Sequence, residues 1–193
     1  MLTPTIQIDP KDLKMLENQF KEFPRTIPTI LSRAINRIAT MANTRVKRGV
    51  AAEVNLQQNI IGRYITLYRA AKTRLEARLK LSGWRIPAAK FKGRRLVKGA
   101  SYQIRRGAAR KKLIYKKTDP IFWGIMESGH EGIFTRPAGK RGKIHELLGP
   151  SISTAWSKTP KLLYATLDEA NHNLAVRIHH EIKYELEKRK VKK

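Results

Sequence analysis

Between Glu76 and Asp119 the sequence holds 15 lysines and arginines and not one aspartate or glutamate. This asymmetry restricts the fold more than any other feature. A segment without acids cannot neutralise its cations locally, and an unpaired buried charge is too costly to keep. Its Lys and Arg heads must therefore lie at a surface, and such a surface attracts polyanions. The whole chain shares the bias, with a net charge of +26 from 41 basic and 15 acidic residues. Nucleic acid is the first partner this implies, and acidic protein faces are the second. An anionic membrane ranks third, because no basic amphipathic surface helix stands out.

The charge does not exclude a folded core. Hydrophobic residues make up 41% of 193 positions, too many for a wholly disordered chain. That length predicts one domain, with arms. The absence of cysteine excludes disulfide scaffolds, Cys-ligated zinc, thiol nucleophiles and Fe–S clusters, and fits a reducing compartment. The longest apolar run, Ile121 to Met126, is far short of the ~20 residues of a membrane span. Met1-Leu2-Thr3-Pro4 lacks a basic start, and Asp9 and Pro10 follow early, so no signal peptide is expected.

Periodicity divides the chain. Asp9 as N-cap, Pro10 at the first helical position and Asp12 in the first turn open a helix. Leu13, Leu16, Phe20 and Phe23 form its stripe, and Pro24 ends it. A second helix is predicted from Thr26–Pro28 to about Arg48, burying Leu31, Ala34, Ile35, Ile38, Ala42 and Val46, with Gly49 as its stop. A third starts at Asn55 as cap, with Leu56, Ile60 and Tyr64 on one side. Strict alternation then takes over from Arg74 to Leu81, with Leu75, Ala77, Leu79 and Leu81 on one face. Ser82-Gly83 reads as a turn, and Trp84 to Ala88 as a strand pairing back. Further strands are expected at 100–104, 121–127, 132–136 and 143–147. Glycines at 93, 99, 107, 124, 129, 132, 139, 142 and 149 read as turn punctuation, and Arg105 to Lys117 as a long exposed loop. From Pro160 a helix of roughly 30 residues, ~45 Å long, carries Leu163, Leu167, Ala170, Leu174, Ile178, Ile182 and Leu186. Its length implies that part of it packs on a neighbouring subunit.

The fold class is therefore α+β: N-terminal helices, a central, mostly antiparallel β-sheet region with a basic loop, and a long C-terminal helix. As one domain it divides into a helical arm (1–25), helices (26–70), a strand-rich basic core (71–150) and the C-terminal helix with its basic tail (151–193).

Catalytic patterns do not assemble. His179 and His180 diverge by about 100° on a helix, and His172 lies two turns from His179, so they cannot share one ion. Glu127, Glu131 and Glu146, next to His130 and His145, form no clear carboxylate pair for a divalent cation. No nucleophile elbow or phosphate-binding loop is present. The reading is no enzyme, no metal and no cofactor.

One segment goes beyond pattern: Arg141-Gly142-Lys143-Ile144-His145-Glu146-Leu147-Leu148-Gly149-Pro150-Ser151-Ile152. A strand running into Leu-x-Gly-Pro-Ser-Ile, followed by a long C-terminal helix, resembles the minor tail protein Z family of long-tailed phages and prophages, also called tail completion proteins. Ala34-Ile35-Asn36-Arg37-Ile38-Ala39 is similar to the family's Ala-Ile-Asn-Arg helix motif. The strand Arg74 to Leu81 followed by Trp84-Arg85-Ile86-Pro87 fits the same layout, so the resemblance runs from about 25 to 185. Gly149, Pro150 and Ser151 read as a structural switch from strand to helix: glycine for a left-handed or sharp turn, proline to fix φ, serine to cap.

The resemblance implies a non-enzymatic virion protein that completes the head-proximal end of the tail, within the head–tail joint. A homo-oligomeric ring, hexameric to match the tail, is implied. So are tail terminator, tail tube and head–tail connector proteins as neighbours, with viral double-stranded DNA in the lumen. No membrane is involved, and assembly takes place in the host cytoplasm. From charge alone, Arg94, Arg95, Arg105, Arg106, Arg110, Lys111 and Lys112 are the candidates for sequence-independent DNA or lumen contact. The alternative is a free-standing, non-sequence-specific nucleic-acid-binding protein.

Overall fold

The apolar stripe that begins at Ile27 folds into one long helix, α1 (Ile27–Glu53). The computed structural model describes residues 5–6, 14, 18, 24–114, 120–136, 143–157 and 160–190. The chain is α+β, and every pair of named strands is antiparallel. The helix expected between Asp9 and Phe23 lies outside the described residues, apart from Lys14 and Asn18, which are helical. Two compact units form: Met1–Lys47 with Ile65–Leu81 and Thr159–Lys193, and Arg48–Tyr64 with Ser82–Lys158.

In the first unit α1 buries Ile27, Ile30, Leu31, Ala34, Ile35, Ile38, Ala39, Ala42 and Val46. These alternate at three and one, the spacing of a helix face turned to a core. The C-terminal helix α4 (Pro160–Lys190) buries Ala170, Leu174, Ile178 and Ile182 at intervals of four. Arg33 reaches Glu185 at 3.2 Å, and Arg45 pairs with Glu169, so the two helices run antiparallel. Leu186, expected on the buried stripe, is 45% exposed because that stripe rotates away over the last turns.

The same unit carries a sheet in the order β1-β3-β2: β1 (Thr5–Ile6), β2 (Ile65–Tyr68) and β3 (Ala77–Leu81). Ala77, Leu79 and Leu81 point inward, as their alternation requires. The strand starts at Ala77 rather than Arg74, because Ala71 and Arg74 exchange backbone bonds of 2.9 and 3.0 Å that close a tight turn. β2 falls in a stretch read as helical. Ile65-Thr66-Leu67-Tyr68 holds two β-branched residues and one aromatic, but is too short to show a period.

Asn36, within the Ala-Ile-Asn-Arg helix motif, ties helix to sheet. Its Nδ2 donates to Ala70 O at 3.0 Å, and its Oδ1 accepts from Ala70 N at 2.8 Å. The side-chain amide thus serves both backbone groups of a buried residue.

The second unit begins inside α1. The helix runs through Gly49 to Glu53, because Val50, Ala51 and Val54 continue the buried stripe. Their burial outweighs the ~1 kcal/mol that a helical glycine costs. Asn55 is not a cap. It is buried, and its Nδ2 donates to Arg105 O, so helix α2 (Gln58–Arg63) starts later and buries Ile61 instead of Ile60.

Three small sheets complete this unit: β5-β6-β7, β10-β9-β8 and β11-β4. They comprise β4 (Arg85–Pro87), β5 (Arg94–Leu96), β6 (Gly99–Tyr102), β7 (Lys111–Ile114), β8 (Ile121–Ile125), β9 (Glu131–Thr135), β10 (His145–Glu146) and β11 (Leu148–Ser151). β4 does not pair back on β3. It pairs with β11, where Arg85 donates from Nε to Gly149 O and from its guanidinium NH₂ to Leu148 O. Pro87 lacks an N–H, which suits a two-stranded sheet. Ala100, Ala88 and Ile133 form the centre of a core ringed by Tyr102, Leu113, Ile121, Trp123 and Leu147.

The expected long loop from Arg105 to Lys117 is mostly ordered backbone. A turn over 105–110 leads into β7, because β6 has a free side and Leu113 fills the core; residues 115–119 lie outside the described set. Gly99, Gly107 and Gly129 take positive φ at turns as expected, but the glycines at 93, 124, 132 and 149 are not punctuation. A Cβ on Gly149 would stand 2.5 Å from the Phe91 ring, and one on Gly93 would stand 2.9 Å from the Trp123 ring. Gly149 has no positive φ, so the motif needs glycine to seat a ring, not to make a left-handed turn. Ser151 Oγ accepts from Thr154 N at 3.1 Å, at the start of helix α3 (Ile152–Ser157).

Replacing Asn36 by Ala strands the N–H and C=O of Ala70. Urea unfolding should show a loss of about 2–3 kcal/mol. Gly149→Ala should cost about 1–3 kcal/mol by overpacking. Adding Phe91→Leu should recover part of that loss, whereas simple additivity of the two changes would show that the ring is not the cause.

Candidate nucleic-acid interface

The basic segment is built as a three-stranded sheet. Leu96 pairs with Gly99 across Val97 and Lys98, giving the β5–β6 hairpin. Gly99 has φ +115°, and a Cβ there would stand 2.0 Å from Leu113 O, so only glycine lets β7 approach. Register then sorts the cations. Arg94, Ser101 and Lys112 stand in one row, and Arg95, Ala100 and Leu113 in the next. Ala100 and Leu113 face the core, so Arg94 and Lys112 lie on the opposite face, exposed on either side of Ser101, which is itself buried. Two strand spacings place them about 10 Å apart. Arg95 and Lys111 are at the rims of the core-facing side, yet both are exposed.

Arg105 and Arg106 are on the following turn rather than on the sheet. Arg106 N donates to Glu53 O at 3.1 Å, and Val54 bridges to Arg105. The turn is thus fixed at the C-terminus of α1, where the helix dipole favours cations. Gln103 Nε2 donates to Ala108 O at 2.6 Å and narrows it further.

Arg110 differs from the other six. It is half-buried, and its guanidinium donates to Lys92 O at 2.7 Å, Ser101 Oγ at 3.2 Å and Ser101 O at 3.4 Å. Its hydrogen bonds hold the turn against β6. Arg94, Arg95, Arg105, Arg106, Lys111 and Lys112 are exposed, and none makes an ion pair among the described residues. Elsewhere the chain does pair its cations: Arg78 reaches Glu76 at 2.8 Å and Arg177 reaches Glu181 at 2.8 Å. Lys98, at the hairpin tip beside the fully exposed Val97, joins the same basic sheet. Its signal was the Lys98-Gly99 step between two short alternating runs.

The acidic residues of this unit do not converge. Glu146 faces the Phe122 and Phe134 side of its sheet, where it meets His130 Nε2 at 2.8 Å. Glu131 faces the other side and accepts from Trp123 Nε1 at 2.6 Å. Glu127 is exposed in the turn between β8 and β9. His179 and His180 are both exposed on α4. Among the described residues no group of three His, Asp or Glu side chains gathers to hold a metal ion. No helix there is long and apolar enough to cross a membrane.

The prophage minor tail protein Z (GPZ) family matches residues 11–192 of the chain. The chain belongs to this family. No curated protein and no solved structure shows a significant match. Membership makes the protein a structural component of a phage tail, with other virion components as its neighbours. The match spans both sequence motifs, so Asn36 with its helix–sheet clamp and Gly149 under the Phe91 ring lie in the family's own span.

Removing the Arg110 guanidinium (Arg110→Ala) frees the turn from Ser101 and Lys92. Amide exchange over residues 103–110 should rise at least tenfold, with α1 protection unchanged. Unaltered exchange in the turn would show that Gln103 and the α1 contacts suffice.

Proposed function

We propose that the protein completes the head-proximal end of the tail and lies within the head–tail joint. There it forms a ring, hexameric in register with the tail, and meets viral double-stranded DNA without reading its sequence. The tail terminator, tail tube and head–tail connector proteins are its neighbours. The observation that carries the DNA contact is the set of exposed, unpaired cations on the β5–β6–β7 sheet and its adjoining turn. Such a surface contacts phosphates and lacks an element shaped to read base edges in a groove. Arg94 and Lys112 on the face opposite Ala100 and Leu113, with Lys111, Arg105 and Arg106, are the contact residues. Arg110 serves the same surface by holding its turn, and Arg95 stands at its edge. The role requires no catalysis.

Duplex DNA binding should be sequence-independent and steeply salt-dependent. In fluorescence anisotropy across a salt series, replacing Lys111, Lys112 and Arg106 by Ala should flatten the log–log slope by about 0.9 for each phosphate that is no longer neutralised. An unchanged slope would remove DNA from the proposal. Particles assembled without the protein should yield heads and tails that fail to join, seen by negative-stain microscopy. Normally joined particles would remove the tail-completion role.

A further inference from the structure

A cleft of about 510 Å³ opens beside the basic sheet, and its lining includes Gly93, Arg94, Arg95, Trp123, Ile125 and Glu131. One wall is β8, an edge strand whose partner is β9. Met126 N donates to His130 O at 2.9 Å, and Arg136 N to Pro120 O at 3.3 Å. In an antiparallel ladder, bonded pairs recur every second residue. Phe122 and Gly124 therefore spend their backbone groups on Phe134 and Gly132. The N–H and C=O of Trp123 and Ile125 point the opposite way, where no strand pairs with them among the described residues. The other wall is β5, also an edge strand, carrying the unpaired Arg94 and Arg95.

The floor is apolar. The Trp123 ring packs against the backbone of Gly93, and its indole N–H is held by Glu131. Ile125 is 69% exposed at the mouth. The cleft thus offers an unused backbone ladder, an apolar seat and two cations against one carboxylate, that of Glu131, which the Trp123 indole N–H engages.

We propose that this cleft takes an extended acidic segment of another protein, added to the edge of β8 as a further strand. Main-chain bonds to Trp123 and Ile125 would hold the segment, an apolar side chain would rest on Ile125, and carboxylates would meet Arg94 and Arg95. Positions that share a face on the added strand recur every ~6.8 Å, matching the Trp123 to Ile125 interval. Nucleic acid fits less well, because a phosphodiester backbone has no donor for the outward carbonyls of Trp123 and Ile125. A second copy of the chain also fits poorly. Its 15 acidic residues are never more than two adjacent, and its net charge is +26.

The probe is the acetylated, amidated hexapeptide Glu-Glu-Val-Val-Glu-Glu, which as a strand carries one Val between two Glu on each face, titrated calorimetrically into the full-length protein up to ~1 mM. Saturable binding, one peptide per chain, is expected. The same peptide N-methylated at alternate amides keeps its charge and side chains but loses one ladder edge, and should bind at least tenfold more weakly. Arg95→Glu and Ile125→Ser, both at exposed positions, should each weaken binding at least tenfold. Circular dichroism checks that each is folded, and the methylated peptide tests the ladder in the unmodified protein. No saturable binding, equal affinity for the methylated peptide, or indifference to Arg95→Glu would each overturn the proposal. If duplex DNA displaces the peptide and methylation has no effect, the cleft is a phosphate site instead. Lys111 and Lys112, which carry the DNA test, lie outside the cleft, so the two readings fail separately.

Discussion

The basic unit depends on aromatic rings laid against glycine backbone. Phe91 presses on Gly149, Trp123 lies against Gly93, and Phe134 covers Gly124 and Gly132. Each contact lays a large ring where the facing residue presents no side chain. This lets short strands build a core from few residues, centred on the small Ala88 and Ala100. An aromatic ring buries far more area than the methyl it excludes, so the exchange favours folding despite the entropy of glycine. The arrangement also suits a segment crowded with Lys and Arg, because it leaves the opposite strand faces free to carry charge.

Charge is handled differently in the two units. In the first, acids stand opposite bases along α1 and α4 and beside β3. These pairs are half-exposed and contribute modestly, and they neutralise only part of the charge, since Arg37 on α1 is exposed and makes no ion pair among the described residues. In the second, the cations of β5, β7 and the 105–110 turn make no ion pair among the described residues.

The long elements were legible because a period repeats many times in them. The α1 stripe, the C-terminal helix and the alternation through Leu81 each carried enough residues to show it. The short elements were not. β2, β5 and β7 have three or four residues each, and their pairing is set by tertiary register rather than by their own pattern. Gly49 misled because a helix stop signal yields to continued burial. The glycines at 93, 124, 132 and 149 misled because composition cannot distinguish a glycine that turns, as Gly99, Gly107 and Gly129 do, from one that seats a ring. At the candidate interface the cations were visible by charge alone. That Arg110 braces the turn while its six neighbours stay free depended on Ser101, 9 residues away, which only the folded register brings near.

The edges of the basic sheet have a further consequence. Open strands invite pairing with identical strands of other molecules, and that is a route to aggregation. Here β5 presents Arg94 and Arg95, and β7 presents Lys111 and Lys112, so two copies that approach edge to edge meet like charges along both strands. The same cations therefore act as a spacer, keeping concentrated chains from knitting into fibrils. Salt that screens the attraction to a polyanion also weakens this spacer. The purified chain should thus be most soluble at low salt, where that repulsion is least screened.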